Sequence, residues 1–203
     1  MNKGIKLAHG EYLNFLNAGD CYYDKYALEK VISAEPQADI LCGNQKLGTD
    51  DKEKIWEAPE KITDELLYFS TIGHPASFIK RDLFNQYGLY DENYKIASDW
   101  EKWIVFFLQH HCSYQKINEK LTTFDLTGIS SCNISLATQE RTEIINKYYS
   151  AHRQRILKKR GIKNRRITYT FKELLFSVKN DFSKKYKILT IFGIKIILKR
   201  HKK

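Results

Sequence analysis

Apolar residues come in short runs between Met1 and Phe124, and polar turns separate them. Residues 1–10 read as the last turns of a helix, broken at His9-Gly10. Residues 12–16 are apolar and short, the pattern of a buried strand, and run into the small-residue turn Asn17-Ala18-Gly19-Asp20. Residues 24–34 place Tyr26, Leu28, Val31 and Ile32 at helical spacing, with Asp24 as the candidate cap. Residues 39–43 form a second buried strand, and residues 47–58 a hairpin or loop around Ile55 and Trp56. Thr63 opens a helix through Phe69. Residues 76–79 are strand-like, and residues 81–87 form a short helix closed by Gly88. Ser98 or Asp99 is placed to cap a helix from Trp100 to about His111, apolar on most of its surface and therefore buried. Residues 114–124 alternate as a strand, and residues 125–131 read as loop. A long amphipathic helix is expected from Leu136 to Lys159, stopped by Gly161. Strands interleaved with helices argue an α/β fold.

Charge divides the chain more sharply than hydrophobicity does. The net charge of +10 averages an acidic body and a basic tail: residues 151–203 hold 18 Lys+Arg against 2 Asp+Glu. Such a tail calls for a polyanionic partner or a solvated surface. The four cysteines, Cys21, Cys42, Cys112 and Cys132, are not at metal spacing and read as reduced thiols. His110, His111 and Cys112 point in different directions on a helix and lack a fourth ligand, so they make no zinc site. No apolar run reaches the roughly 18–20 residues that cross a bilayer, and no leader-type apolar segment opens the chain.

Three places carry candidate chemistry. Asp20 follows a strand end, where a carboxylate can reach Mg²⁺ or Mn²⁺ with substrate phosphates in the same shell. Ser98-Asp99-Trp100-Glu101 puts carboxylates at the entry of a buried helix, beside the positive end of its dipole. His74 precedes a strand in Gly73-His74-Pro75-Ala76.

Together these segments resemble something specific. Asn2-Lys3-Gly4-Ile5, Ala8-His9-Gly10-Glu11-Tyr12 and Phe15-Leu16-Asn17-Ala18-Gly19-Asp20 are similar to the centre of family 2 glycosyltransferases of the GT-A type. Gly73-His74-Pro75-Ala76-Ser77-Phe78, Gly88-Leu89-Tyr90-Asp91-Glu92 and Ala97-Ser98-Asp99-Trp100-Glu101 resemble that family's acceptor side, so the likeness covers about residues 1–130. The resemblance implies a GT-A sheet and inverting transfer of a sugar, hexosyl in type, from a UDP- or GDP-sugar to a hydroxyl of a glycan or lipid-linked acceptor. Asp99 matches the catalytic base, and Asp20 matches the final acid of the motif that holds Mn²⁺ or Mg²⁺. His74, Ser98, Trp100 and Asn17 would contact substrate.

The chain departs from that pattern twice. Only Asp20 remains of the acidic motif, where Asn17 or Gly19 usually gives way to Asp. The resemblance also implies about 80 further residues before Met1, carrying the first strands and the nucleoside pocket. The expected organisation is a partial GT-A domain over residues 1–135 and a helical, strongly basic extension over residues 136–203. A chain of that kind would bind UDP poorly and turn over little or nothing, and a non-catalytic binding or membrane-surface module is the alternative.

The tail adds an apolar segment between lysine clusters, Lys184-Lys185 through Lys199-Arg200, which suits an anionic membrane surface. Gly193 could instead turn a small hairpin. Few aromatics interleave with the basic residues, which argues against nucleic acid. The expected location is cytoplasmic, with the inner face of the cell membrane as the candidate surface.

Overall fold

The computed structural model describes residues 1–48, 54–168, 177–180, 186–191 and 194–199. The chain divides into two compact units, Met1–Ser150 and Ala151–Lys203, a later division than the one expected after residue 135.

The first unit is built on a mixed sheet. Its strands are β1 (Tyr12–Asn14), β2 (Cys21–Tyr22), β3 (Ile40–Leu47), β4 (Lys54–Trp56), β5 (Ser77–Lys80) and β6 (Tyr114–Phe124). They lie in the order β1-β5-β3-β6-β2, with β4 also paired to β3. Only β3 and β6 run parallel, from Ile40 opposite Tyr114 to Leu47 opposite Phe124. Ile40, Leu41 and Cys42 are fully buried, as a central strand covered on both faces requires. β3 is longer than the sequence suggested, because pairing with β6 and β4 carries it on through Asn44-Gln45-Lys46-Leu47. The expected hairpin forms between β3 and β4, and residues 49–53 lie outside the described part.

Helices α1 (Asn2–Leu7), α2 (Ala27–Ser33), α3 (Asp64–Phe69) and α4 (Arg81–Tyr87) fall where the pattern put them. Thr63 caps α3 by accepting Leu66 N–H at 3.1 Å, and Gly88 ends α4 at φ 82°. α2 starts later than expected. Asp24 lies two residues before its cap, accepting Tyr26 N–H and pairing with Lys30, both at 2.8 Å. Val31 of α2 joins Ala38, Leu41, Phe78, Ile117 and Leu121 in one apolar cluster.

Two helical expectations are corrected. α5 (Ser98–Ile104) is capped by neither Ser98 nor Asp99; Ala97 stands at the cap. The helix then widens into a π-helical turn, Val105–Gln109. The long helix expected to end at Gly161 is broken earlier. A short α6 (Ile129–Cys132) replaces part of the expected loop, followed by α7 (Ile134–Tyr148) and α8 (Ala151–Thr168). Tyr149 leaves the helix at φ −118°, ψ 118° and is buried with its ring 5.2 Å from that of Tyr68. That burial outweighs the gain from continuing the helix. Gly161 lies inside α8, and it is not among the glycines with positive φ, so it offers no left-handed stop.

The second unit is not helical throughout, as had been expected. After α8 come β7 (Ser177–Asn180), β8 (Tyr186–Ile191) and β9 (Ile194–Lys199), an antiparallel sheet in that order. Ile191 pairs with Ile194, the pairing a hairpin at Gly193 needs; Gly193 and the flanking Lys184, Lys185 and Arg200 lie outside the described residues. The sequence of β8 and β9 is rich in β-branched residues, which favour strands. No described helix is long and apolar enough to cross a membrane.

The close approach of β3 to β6 gives a direct test. A Cβ on Gly43 would stand 2.4 Å from the Leu121 side chain and 3.0 Å from Glu119 O. Leu121 is fully buried and cannot swing away. Gly43→Ala is expected to lose about 1–3 kcal/mol of stability. The loss is read as a lower urea midpoint at unchanged m-value.

Candidate active site

The turn after β1 presents Asp20 under tight constraint. Asp20 N–H bonds to Asn17 O at 3.0 Å. Its Oδ1 accepts Asp125 N–H at 2.9 Å, and its Oδ2 accepts Asn17 N–H at 3.3 Å. The carboxylate is thereby latched to the end of β6. Gly19 is required twice over: its φ is +94°, and a Cβ there would lie 2.2 Å from Asp125 Oδ2. Asp125 is a second carboxylate at this turn. The Thr127 N–H and hydroxyl, at 2.9 and 2.7 Å, hold its pKa below the usual range.

His74 sits on the other side of that turn at 4% exposure. Phe15, just past β1, stacks on its ring at 5.3 Å and 20°. Tyr90 OH lies 2.8 Å from its Nε2, and the Trp103 ring is 5.8 Å away. Burial lowers the His74 pKa below 6.5; Asp99 and then Asp20 oppose that shift. Both carboxylates therefore act on one imidazole. Tyr90 is pushed well above its ordinary 10, by burial first and then by Asp99.

Asp99 stands in the first turn of α5, where its Oδ1 accepts the Trp100 N–H at 2.7 Å. Trp100 is buried, and its Nε1–H is spent on Leu67 O at 2.9 Å. The Arg141 guanidinium of α7 lies 4.3 Å from the centre of the Trp100 ring. Burial lowers the pKa of Arg141, and Asp99 opposes this. Glu140, next to it, accepts the N–H groups of Lys95, Ile96 and Ala97.

Of the residues singled out in the sequence, Asp20 and Asp99 both bear on His74 through their charge. Trp100 presents its ring face to Arg141 and spends its indole N–H on Leu67. Ser98 is buried at 6%, whereas Asn17 is exposed and supports Asp20 through its backbone. Tyr90, Asp125, Glu140 and Arg141 were not anticipated as members. Tyr90 lies inside a segment that carried the family resemblance, and that was its only signal.

A divalent cation can be tested against the side chains present. Among the described residues no group of three or more His, Cys, Asp and Glu is placed to hold a metal. His110 instead stacks on Tyr87 at 3.8 Å. The Asp20 turn has hard oxygen donors but no all-protein cage. That fits a cation which takes one or two carboxylates and fills its shell with phosphate oxygens and water.

Comparison with known proteins finds relatives named as glycosyltransferases. No protein-family profile matches the chain. A PGL/p-HBAD biosynthesis glycosyltransferase of Mycobacterium bovis is 32% identical over 104 residues, covering 50% of this chain and 40% of that protein. The corresponding Mycobacterium tuberculosis protein matches equally. An uncharacterized glycosyltransferase of Rickettsia typhi is 25% identical over 203 residues, 93% of this chain and 62% of its own length. The chain thus spans well under the full length of the relatives it matches. Among solved structures, S. aureus TarS residues 1–349 align over 72% of this chain and 48% of theirs, at 16% identity and a TM-score of 0.48. The same protein with UDP gives 74%, 49%, 16% and 0.47.

The buried imidazole generates a pH prediction. Its folded pKa lies below its unfolded value of 6.5, so the unfolded chain binds the proton first on acidification. Its contribution to stability is intact above pH 6.5 and declines as pH falls from there toward the folded pKa. The slope is up to about 1.4 kcal/mol per pH unit. Urea midpoints measured across this range should show His74→Gln flattening the acid-side decline relative to wild type. Equal slopes would mean that His74 is not kept neutral by burial.

Proposed function

We propose that this chain is the acceptor-side part of a family 2, GT-A glycosyltransferase that transfers a sugar with inversion from a nucleotide-diphospho-sugar. The observation that carries this reading is the buried His74, stacked on Phe15 of the segment that leads to Asp20 and subject to the charge of both Asp99 and Asp20. The sequence similarity to glycosyltransferases supports it. The mycobacterial relatives are named for PGL/p-HBAD biosynthesis, which favours a glycan or lipid-linked acceptor.

The roles follow from chemistry. An acceptor hydroxyl is a weak nucleophile, and a carboxylate within hydrogen-bond reach takes its proton as it attacks. Asp99 fits this role: Oδ1 is held by Trp100 N–H, and among the described contacts Oδ2 accepts no hydrogen bond. Attack by that oxygen on the anomeric carbon, opposite the departing diphosphate, inverts the centre in a single displacement. One base suffices, unlike the paired carboxylates of glycoside hydrolysis. Asp20 would hold Mn²⁺ or Mg²⁺ together with phosphate oxygens; such a cation offsets the charge that develops on the leaving group. Neutral His74 and the Trp100 face would line the pocket. A uridine nucleotide is the probe of choice for the donor side.

Calorimetric titration with UDP tests the reading. Binding by this chain is expected to be weak, to need Mn²⁺ and to be lost in Asp20→Ala. Asp99→Asn should bind Mn²⁺–UDP like wild type, while transfer falls by about 10²–10⁴-fold. UDP binding that ignores both the cation and Asp20, or transfer that survives Asp99→Asn, would sink the proposal. A chain that binds no nucleotide under any condition moves the non-catalytic module to the front.

A further inference from the structure

The start of α5 lacks a cap from its own segment. Ala97 stands at the cap and offers no side-chain acceptor. The amides just before the helix find their acceptor on α7. Glu140 Oε1 receives Lys95 N–H at 2.8 Å, and its Oε2 receives those of Ile96 and Ala97 at 2.9 and 2.8 Å. Three consecutive amides aimed at one carboxylate form a concave anion-binding arrangement. Each bond is charge-assisted and so stronger than a neutral one.

The carboxylate is 4% exposed. A buried charge is costly unless it is compensated. Among the described residues Glu140 has no Lys, Arg or His ion pair, so these amides and the positive end of α5 supply that compensation. The dependence is mutual. The loop is held by Glu140, and Glu140 is tolerated because the loop is in place. Arg141 then lies across Trp100. Two adjacent residues of α7 therefore grip the peptide on both sides of Asp99.

Asp99 serves its own helix with one oxygen only, accepting the Trp100 N–H in the first turn. A carboxylate from another helix already serves the loop that enters α5. We propose that Glu140 is a positioning residue for Asp99: it fixes the loop at residues 95–97 and through it the place of the Asp99 carboxylate, one oxygen of which accepts the Trp100 N–H. The catalytic half of this statement rests on the transfer reading above.

Glu140→Gln tests it, because the amide keeps the shape but turns one acceptor into a donor facing N–H groups. The full chain, isotopically labelled, is compared as wild type, Glu140→Gln and Glu140→Asp, with thermal melts to confirm folding. In Glu140→Gln the amides of Lys95, Ile96 and Ala97 should exchange faster and shift upfield. The Asp99 carboxyl ¹³C resonance should move, and Mn²⁺–UDP affinity should stay within about twofold, since a site 1 Å out of place loses rate rather than remote binding. Where turnover is measured, kcat should fall on the order of 100-fold with donor KM unchanged. Glu140→Asp should fall between wild type and Gln, and it carries the test if Gln does not fold.

Faster amide exchange with the Asp99 resonance and kcat unchanged would make Glu140 merely structural and overturn the proposal. Parallel loss of donor affinity and rate would do the same. Wild type that fails to bind Mn²⁺–UDP ends the transfer reading, while the amide and Asp99 signals still decide whether Glu140 positions Asp99.

Discussion

At 4% exposure, His74 cannot take up a proton without losing the hydration that would stabilise it, and Phe15, Trp103 and Tyr90 close around it. Each neighbour comes from a different segment. Phe15 follows β1, Trp103 belongs to α5, and Tyr90 follows α4. The antiparallel pairing of β1 with β5, Tyr12 opposite Lys80 through Asn14 opposite Phe78, brings the first of these segments beside the His74 loop. Asn14 reinforces it by donating to Pro75 O and Ser77 O, both at 2.8 Å. The sheet therefore positions the imidazole between the Phe15 ring and Tyr90.

The two carboxylates are held by different means. Asp20 is latched by a backbone N–H of Asp125, at the end of the strand that pairs in parallel with β3. Asp99 is held by its own neighbour, Trp100, and through the loop before it by Glu140. In both places a backbone amide meets a carboxylate, so geometry is set by main chain rather than by long, mobile cations. The Arg141 guanidinium meets a ring face rather than an anion.

What could be read from sequence follows from how local each cause is. Gly19 and Gly88 announce turns because only glycine takes their φ freely, and Thr63 announces a helix start through its own hydroxyl. Asp20, His74 and Asp99 stood out because each lies in a short segment with a recognisable turn or helix entry. Glu140 gave no such signal. In sequence it sits in an amphipathic stretch beside Gln139 and Arg141 and looks like a solvated face; only the fold of the loop at residues 95–97 makes it a buried acceptor. Asp125 was hidden for the same reason, since its amide meets Asp20 across the sheet. The break at Tyr149 depends on a distant ring, that of Tyr68. The β8–β9 hairpin stood only as an alternative in the sequence, because an apolar run between lysines has the same composition at a lipid surface as in a hairpin.

The neutrality of the His74–Tyr90 pair matters beyond packing. A protonated imidazole at His74 would attract both Asp99 and Asp20 and offset the charge of each. On the proposed reading that charge is needed twice, once to hold a cation against phosphate and once to accept a proton. Burial keeps His74 below its ordinary pKa and Tyr90 well above its own, so neither member of the pair is charged near neutrality. The two carboxylates are then influenced by a pair of oriented dipoles instead of an ion. A fixed dipole can be arranged once by the fold and needs no rearrangement during reaction. The apolar wall around one histidine thus keeps two acids available on either side of it.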